Sequence, residues 1–213
     1  MNSEKVQKEI DSTRKFGEQL EDIVVSKNEF STGDRNVLRI AYWALVFDYH
    51  KGILSLLQSE FFGAAFAVAR PVVEAVVRAH VTLMGSEEDL GSIQKDEYKV
   101  NFKEIGGKID AAFALEGLME NFLNDVTRSA LHSYTHSGLL QLGKRFDGND
   151  IKPNYSDGEI IEVVRVTTSA IFMVTNLVTK HFGFEDDWKS VPRCTTNGVS
   201  IPELVHCPGA LAL

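Results

Sequence analysis

Three side chains between positions 128 and 136 have the chemistry needed to break a phosphodiester bond without a metal ion. Arg128, His132 and His136 follow one another at four-residue steps, so they share one face of a predicted helix. A histidine pair can remove and return a proton near neutral pH, and an arginine stabilises charge on a phosphate. The pattern predicts a catalytic group. A polar patch near a helix C-terminus, where protonated histidine is favoured, explains the spacing about as well.

A second polar feature lies in the most apolar stretch of the chain. Arg70, Glu74 and Arg78 also recur at four-residue steps, which gives an ion-pair ladder of alternating sign on one helix face. The residues around them are mostly Ala, Val and Phe, so we expect the ladder to face a partly buried groove. It is either a structural network or a contact for an anion or nucleotide. With Tyr134, these three are the predicted substrate-binding residues.

A metal site is a further alternative, because His132 and His136 could both bind one ion from the same helix face. The third ligand would come from the earlier helices: Asp48, His50, Glu74 or His80. The chain has no HExxH motif, and its Glu-x-x-His pair at 203–206 lies in a proline-interrupted tail. We therefore predict no metal and no cofactor.

Helical periodicity covers most of the chain and predicts one all-α domain of about five to seven helices. The predicted helices span about residues 3–27, 34–60 and 61–84, a short exposed one within 86–108, two within 108–137, and 156–182. A capping box at Ser156 and Glu159 opens the last helix, Gly106-Gly107 is read as a break, and residues 143–155 form a loop. The bundle is expected over residues 1–183 and an irregular tail over 184–213.

Composition bounds the function. The chain has 213 residues, 44% of them apolar, and a net charge of −8, so it can bury a core but cannot coat nucleic acid with its whole surface. The charge is uneven, however, since residues 124–146 carry three Lys or Arg against one Asp. This distribution favours a selective anion site.

The chain shows no features of export or membrane insertion. Its N-terminus is charged and lacks an apolar signal region, and it has only two cysteines, Cys194 and Cys207. The apolar stretch 61–84 is interrupted by charges at Arg70, Glu74 and Arg78, so we do not expect it to cross a membrane. We expect a soluble cytoplasmic protein.

Two segments resemble a group of bacterial all-helical proteins, largely of unknown function, that are related to the HEPN superfamily. Residues 69–78, ARPVVEAVVR, look like the R-P-x-x-E-A helix of such proteins. Residues 131–138, LHSYTHSG, look like their later N/H-S-x-x-H-x-G segment. The order and separation of the two also fit, and the similarity covers about residues 30–182.

This resemblance implies a ribonuclease, often a toxin in bacterial immunity or in a toxin–antitoxin pair. Active HEPN proteins typically dimerise so that Arg-x(4–6)-His motifs from two subunits share one cleft. Carried over, Arg128 is the phosphate-stabilising residue, and His136 or His132 is the catalytic histidine. Here three residues separate Arg128 from His132 and seven separate it from His136.

Three functional hypotheses follow. We favour an HEPN-like homodimer that acts on RNA or a nucleotide, with an antitoxin or other protein as a further partner. The alternative is a non-catalytic binding or dimerisation module whose polar residues pair internally. The third is a metal-binding helical bundle.

Overall fold

The computed structural model describes residues 3–27, 30, 33–113, 117–123, 134, 138–183, 195–196 and 199–200. This part of the chain contains eight helices and two very short antiparallel strand pairs, so the predicted all-α class is confirmed. The elements are α1 (Glu4–Val25), α2 (Asp34–Gln58), α3 (Phe62–Met84), α4 (Glu87–Gln94), α5 (Phe102–Phe113), α6 (Leu118–Phe122), α7 (Leu139–Gly143), β1 (Phe146–Asp147), β2 (Asp150–Ile151), α8 (Asp157–Phe182), β3 (Thr195–Thr196) and β4 (Val199–Ser200).

Helix α3 has neighbours on several sides. It packs against α2, α5 and α8, while α1 covers α8 and part of α2. Small side chains allow this close approach, because four alanines of α3 are buried: Ala65, Ala69, Ala75 and Ala79. Most of the circumference of α3 is therefore core, and Pro71 is accommodated inside one continuous helix.

The longest helix begins and ends at the residues that the sequence indicated. The Ser156 hydroxyl accepts a hydrogen bond from the Glu159 amide, and the Glu159 carboxylate accepts from the Ser156 amide, so the capping box is confirmed. Gly183 ends the helix at φ 75°, a left-handed conformation that glycine adopts without strain. These local signals outweigh the β-branched composition of α8.

The predicted break at Gly106-Gly107 is wrong, because both glycines lie inside α5. Gly106 packs against α6, where an added Cβ would lie 2.9 Å from the Glu120 Cα. The Asp110 carboxylate, on the same helix, accepts from the backbone amides of Met119 and Glu120 at 2.8 Å each. These glycines therefore allow close helix contact rather than a turn.

Other boundaries also differ from prediction. The predicted loop at 143–155 contains the hairpin β1–β2, preceded by the unpredicted helix α7, so eight helices are described rather than five to seven. Four residues of the predicted irregular tail form β3 and β4. The apolar residues Val37 and Leu45 of α2 are exposed, because the helix directs Trp43 and Phe47 into the core instead.

Arg39 is a buried cation that the apolar pattern did not reveal. It is 1% exposed, and it donates hydrogen bonds to the Asn36 Oδ1 at 2.6 Å and to the Thr82 carbonyl at 3.3 Å. Arg35 donates to the Gly85 carbonyl at 3.2 Å. Both arginines therefore reach the carbonyls at the C-terminal end of α3, where the helix dipole favours positive charge.

Within the described residues, α8 is the one helix that is long and apolar enough to span a membrane, with a mean hydropathy of 1.5 in its best window. That window is 72% buried by the rest of the protein, as expected for a core helix. The apolar stretch 61–84 does not meet the same criterion.

His50 lies where α1, α2 and α8 meet. Its Nδ1 is 3.2 Å from the Thr167 Oγ1, and its Nε2 faces Gly17, where an added Cβ would lie 2.9 Å away. Burial lowers the pKa of His50 to about 3, so the folded protein holds this ring neutral.

This pKa predicts a loss of stability in acid. Between an unfolded pKa near 6.5 and the folded pKa of about 3, the unfolded state binds more protons, so stability falls as the pH drops. The expected slope from this one group is about 1.4 kcal/mol per pH unit. In the wild type, His50 should lower the free energy of unfolding, measured with urea, by about 2 kcal/mol between pH 7.5 and pH 5. The variant His50→Asn should lack this decrease. Equal pH dependence in both proteins would contradict the assignment.

Candidate functional site

Five residues of α3 recur at four-residue steps and form what we call the α3 stripe: Phe62, Phe66, Arg70, Glu74 and Arg78. Each step advances the side chain about 40° beyond one full turn, so the stripe winds slowly around the helix. Its first two members carry aromatic contacts, and its last three carry charge. The helix itself thus places the predicted ladder directly after an aromatic cluster.

The ladder is paired internally. The Arg70 Nε lies 2.9 Å from the Glu74 Oε1, and the Arg78 Nη1 lies 3.4 Å from the Glu74 Oε2. The three side chains are only 23–24% exposed, so they are partly screened from water. One carboxylate neutralises one of two guanidinium groups, which leaves the three-residue ladder with a net positive charge.

The Arg78 end of the ladder is lined by tyrosines. The Arg78 Nη2 donates to the Tyr98 carbonyl at 3.5 Å, and the Tyr42 ring is close enough for Arg78 to affect its titration. Burial raises the pKa of Tyr42, with Arg78 opposing and Asp96 reinforcing the shift, and burial likewise raises the pKa of Tyr98. Both phenols are therefore neutral at physiological pH and able to donate a hydrogen bond.

Tyr134 is a core residue. It is 4% exposed, and its ring centroid lies 4.7 Å from that of Phe66, which in turn lies 4.9 Å from Tyr155. Burial raises the pKa of Tyr134 to about 12, and Glu159 and Tyr155 contribute in the same direction. Tyr134, which the sequence predicted as a substrate-binding residue, lies within the aromatic core, and its role in binding stays a prediction. It is packed against α3 one turn before Arg70.

The three predicted catalytic residues, Arg128, His132 and His136, lie outside the described residues, as do Cys194 and Cys207. The structure therefore brings together Arg70, Glu74 and Arg78, and it packs Tyr134 against Phe66, one turn before Arg70, but it gives no geometry for the catalytic trio.

The metal alternative finds no support in the described part of the chain, which contains no group of three or more His, Cys, Asp or Glu placed to hold an ion. His50 faces Thr167, and the His80 Nδ1 lies 2.8 Å from the Val76 carbonyl inside α3. Burial lowers the pKa of His80 to about 4, with the bond to Val76 opposing the shift. Both rings are therefore buried core groups rather than open ligands.

The chain matches a known sequence family over residues 43–196, from the middle of α2 through α8 to β3. That family is described as a family of unknown function, DUF6988. The chain belongs to the DUF6988 family. No curated protein and no solved structure matches it. The matched range includes the whole α3 stripe and the segment from Arg128 to His136, whereas α1 precedes it.

Sequence reasoning missed one polar cluster of this DUF6988 protein, at the first turn of α3. An added Cβ on Gly63 would lie 2.7 Å from the Arg145 Nη2 and 3.3 Å from the Tyr155 hydroxyl. The Gln141 Nε2 donates to the Gly63 carbonyl at 3.0 Å. The one sequence signal was the local basic excess of residues 124–146, which includes Arg145.

Proposed function

We propose that this DUF6988 protein is an HEPN-like RNA-binding protein that cleaves RNA without a metal ion, as an effector in bacterial defence or in a toxin–antitoxin pair. The observation that carries the proposal is the packing of Tyr134 on Phe66. It supports a site in which the histidine-containing segment and the arginine ladder lie together.

The support comes from chain geometry. His132 and His136 are each two positions from Tyr134, and two residue steps span at most about 7.6 Å between Cα atoms. Phe66 precedes Arg70 by four residues of α3, a rise of about 6 Å. Covalent connectivity and one aromatic contact therefore limit how far the two histidines can be from the ladder.

The proposed chemistry assigns one task to each group. One histidine removes the proton of a ribose 2′-hydroxyl, whose oxygen attacks the adjacent phosphorus, and the other histidine protonates the departing 5′-oxygen. Arg128 stabilises the charge on the pentacoordinate phosphorus. Arg70 and Arg78 bind the phosphates of the strand, and Glu74 fixes their guanidinium groups. Positioned acid–base groups of this kind contribute about 10²- to 10⁴-fold in rate.

The proposal predicts metal-independent cleavage of single-stranded RNA by the purified protein. With EDTA present, we expect His136→Ala and Arg128→Ala to reduce the cleavage rate by about 10²-fold or more, because each removes a transition-state contact. Gel analysis of end-labelled RNA measures the rate, and circular dichroism checks the fold.

Lys15→Ala is the matched control, since Lys15 is an exposed cation on α1, and it should cleave like the wild type. An RNA carrying a 2′-deoxy residue at the cleavage position should resist cleavage there. The ribonuclease proposal would be refuted if the wild type cleaved none of several RNAs. It would also be refuted if the His136→Ala variant cleaved RNA as fast as the wild type.

A non-catalytic dimerisation module is the second candidate, and it is favoured by an exposed apolar patch. Five large hydrophobic residues between 139 and 151 are exposed: Leu139 at 86%, Leu140 at 52%, Leu142 at 53%, Phe146 at 49% and Ile151 at 83%. Apolar side chains concentrated in this way are typical of an interaction surface. We propose that this patch of α7, β1 and β2 mediates homodimerisation. The alternative is that it binds a different protein, such as an antitoxin.

The dimer proposal predicts a dimeric mass in sedimentation equilibrium at micromolar concentration. Leu139→Glu with Ile151→Glu should give a monomer, because buried charge at an interface is strongly unfavourable. Val37→Glu is the control, since Val37 is 60% exposed on α2, away from the patch in sequence. A monomeric wild type, or a dimer unaffected by the double substitution, would contradict this role for the patch.

A further inference from the structure

Two hydrogen-bond donors from distant parts of the chain meet over Gly63. The Arg145 Nη2 and the Tyr155 hydroxyl lie 2.7 and 3.3 Å from the position that a Cβ on this glycine would occupy. A methyl group at this position would displace the end of the Arg145 side chain, so the glycine lets both donors approach the helix closely.

The Tyr155 hydroxyl is buried and has no hydrogen-bond partner among the residues that the structure describes. Leaving a buried hydroxyl unsatisfied costs about 1–3 kcal/mol, so such groups are rare unless a partner binds there. The ring is held in place by Phe62, at 5.5 Å between centroids, and by Phe66, at 4.9 Å. Burial raises the pKa of Tyr155, so its hydroxyl stays protonated and can donate.

Arg145 and the preceding residue, Lys144, differ in whether they form an ion pair. Lys144 forms an ion pair with the Glu159 carboxylate at 2.5 Å, so its charge is neutralised. Among the described residues, Arg145 has no ion pair and donates no side-chain hydrogen bond, although its guanidinium group lies against the protein at Gly63. Its donors are available to a bound anion.

The backbone at this point adds partial positive charge. Gly63 is the second residue of the 23-residue helix α3, whose N-cap, Phe61, provides no side-chain acceptor. The helix dipole therefore places partial positive charge at the turn that Arg145 contacts. The bond from Gln141 to the Gly63 carbonyl ties α7, and with it the chain leading to Arg145, to this turn.

We propose that Arg145, the Tyr155 hydroxyl and the first turn of α3 bind a phosphate group. A guanidinium group and a phenolic hydroxyl beside the positive end of a helix suit an oxyanion, and guanidinium is the side chain best matched to phosphate oxygens. The ligand is either free inorganic phosphate or the terminal phosphate of a nucleotide or RNA strand. None of these residues belongs to the proposed cleavage centre, so the site stands independently of catalysis.

Isothermal titration calorimetry on the full chain tests the proposal with three probes: inorganic phosphate, a 5′-phosphorylated RNA oligonucleotide and the same RNA with a 5′-hydroxyl. Using the His136→Ala background prevents cleavage during the titration. Binding of inorganic phosphate indicates a free-phosphate site. Tighter binding of the 5′-phosphorylated strand than of the 5′-hydroxyl strand indicates a strand-end site.

Arg145→Gln and Tyr155→Phe should each weaken phosphate binding roughly tenfold or more, since each removes a donor to a charged group. Gly63→Ala should weaken it at least as much, because the new methyl group displaces the end of Arg145 while alanine remains a good helix former. Lys15→Gln, which removes a cation elsewhere, should bind normally.

The site would be refuted if the wild type bound neither phosphate nor the 5′-phosphorylated strand selectively, or if all three site variants bound like Lys15→Gln. Thermal unfolding of each variant distinguishes loss of the site from loss of the fold. Phosphate binding in a protein that cleaves no RNA would reject the ribonuclease and leave this site intact.

Discussion

The packing of α3 constrains the rest of the structure. Helices α2, α5 and α8 surround it, and its buried alanines and valines leave no room for charge on those sides. An uncompensated charge in such an interior is expensive, so charged side chains can leave α3 only along one narrow surface. Arg70, Glu74 and Arg78 lie on that surface, whereas Phe66 of the α3 stripe is buried at 1% exposure. The four-residue steps of the three charged residues follow from this requirement.

The same helix collects positive charge at both ends, although the whole chain is acidic. Arg145 lies at its first turn, and Arg35 and Arg39 contact carbonyls near its C-terminus. The helix dipole explains Arg35 and Arg39, which lie at the negative, C-terminal end of α3. Arg145 lies at the positive end, where a cation is disfavoured. A bound anion at that end would offset the repulsion between the guanidinium group and the positive end of the dipole. This is the physical basis for the phosphate site.

Local patterns determined what could be predicted from the sequence. The buried face of α1, the capping box of α8 and the Arg70–Glu74–Arg78 ladder each depend on residues within a few positions, and all three are found in the structure. The position of Gly106 against α6 and the choice of Trp43 over Leu45 for the core depend on tertiary packing instead.

The cluster at Gly63 shows the same limit most clearly. Gln141 and Gly63 are 78 positions apart, and no local period relates them. The residues around Gly63 do not indicate that this glycine contacts the guanidinium group of Arg145. Only the basic excess of residues 124–146 pointed toward this region, and it could not single out Arg145, which has no ion pair among the described residues.

We propose that the Gly63 site and the Arg70–Glu74–Arg78 ladder, which together extend over about 22 Å of α3, bind phosphates of one RNA strand. The most direct test measures how RNA binding depends on salt concentration in three proteins. These are the His136→Ala variant and the two double variants that add Arg78→Ala or Arg145→Ala to it. If each arginine contacts a phosphate, each substitution should reduce the slope of log K against log salt by about 0.7. Slopes unchanged in both variants would contradict the account.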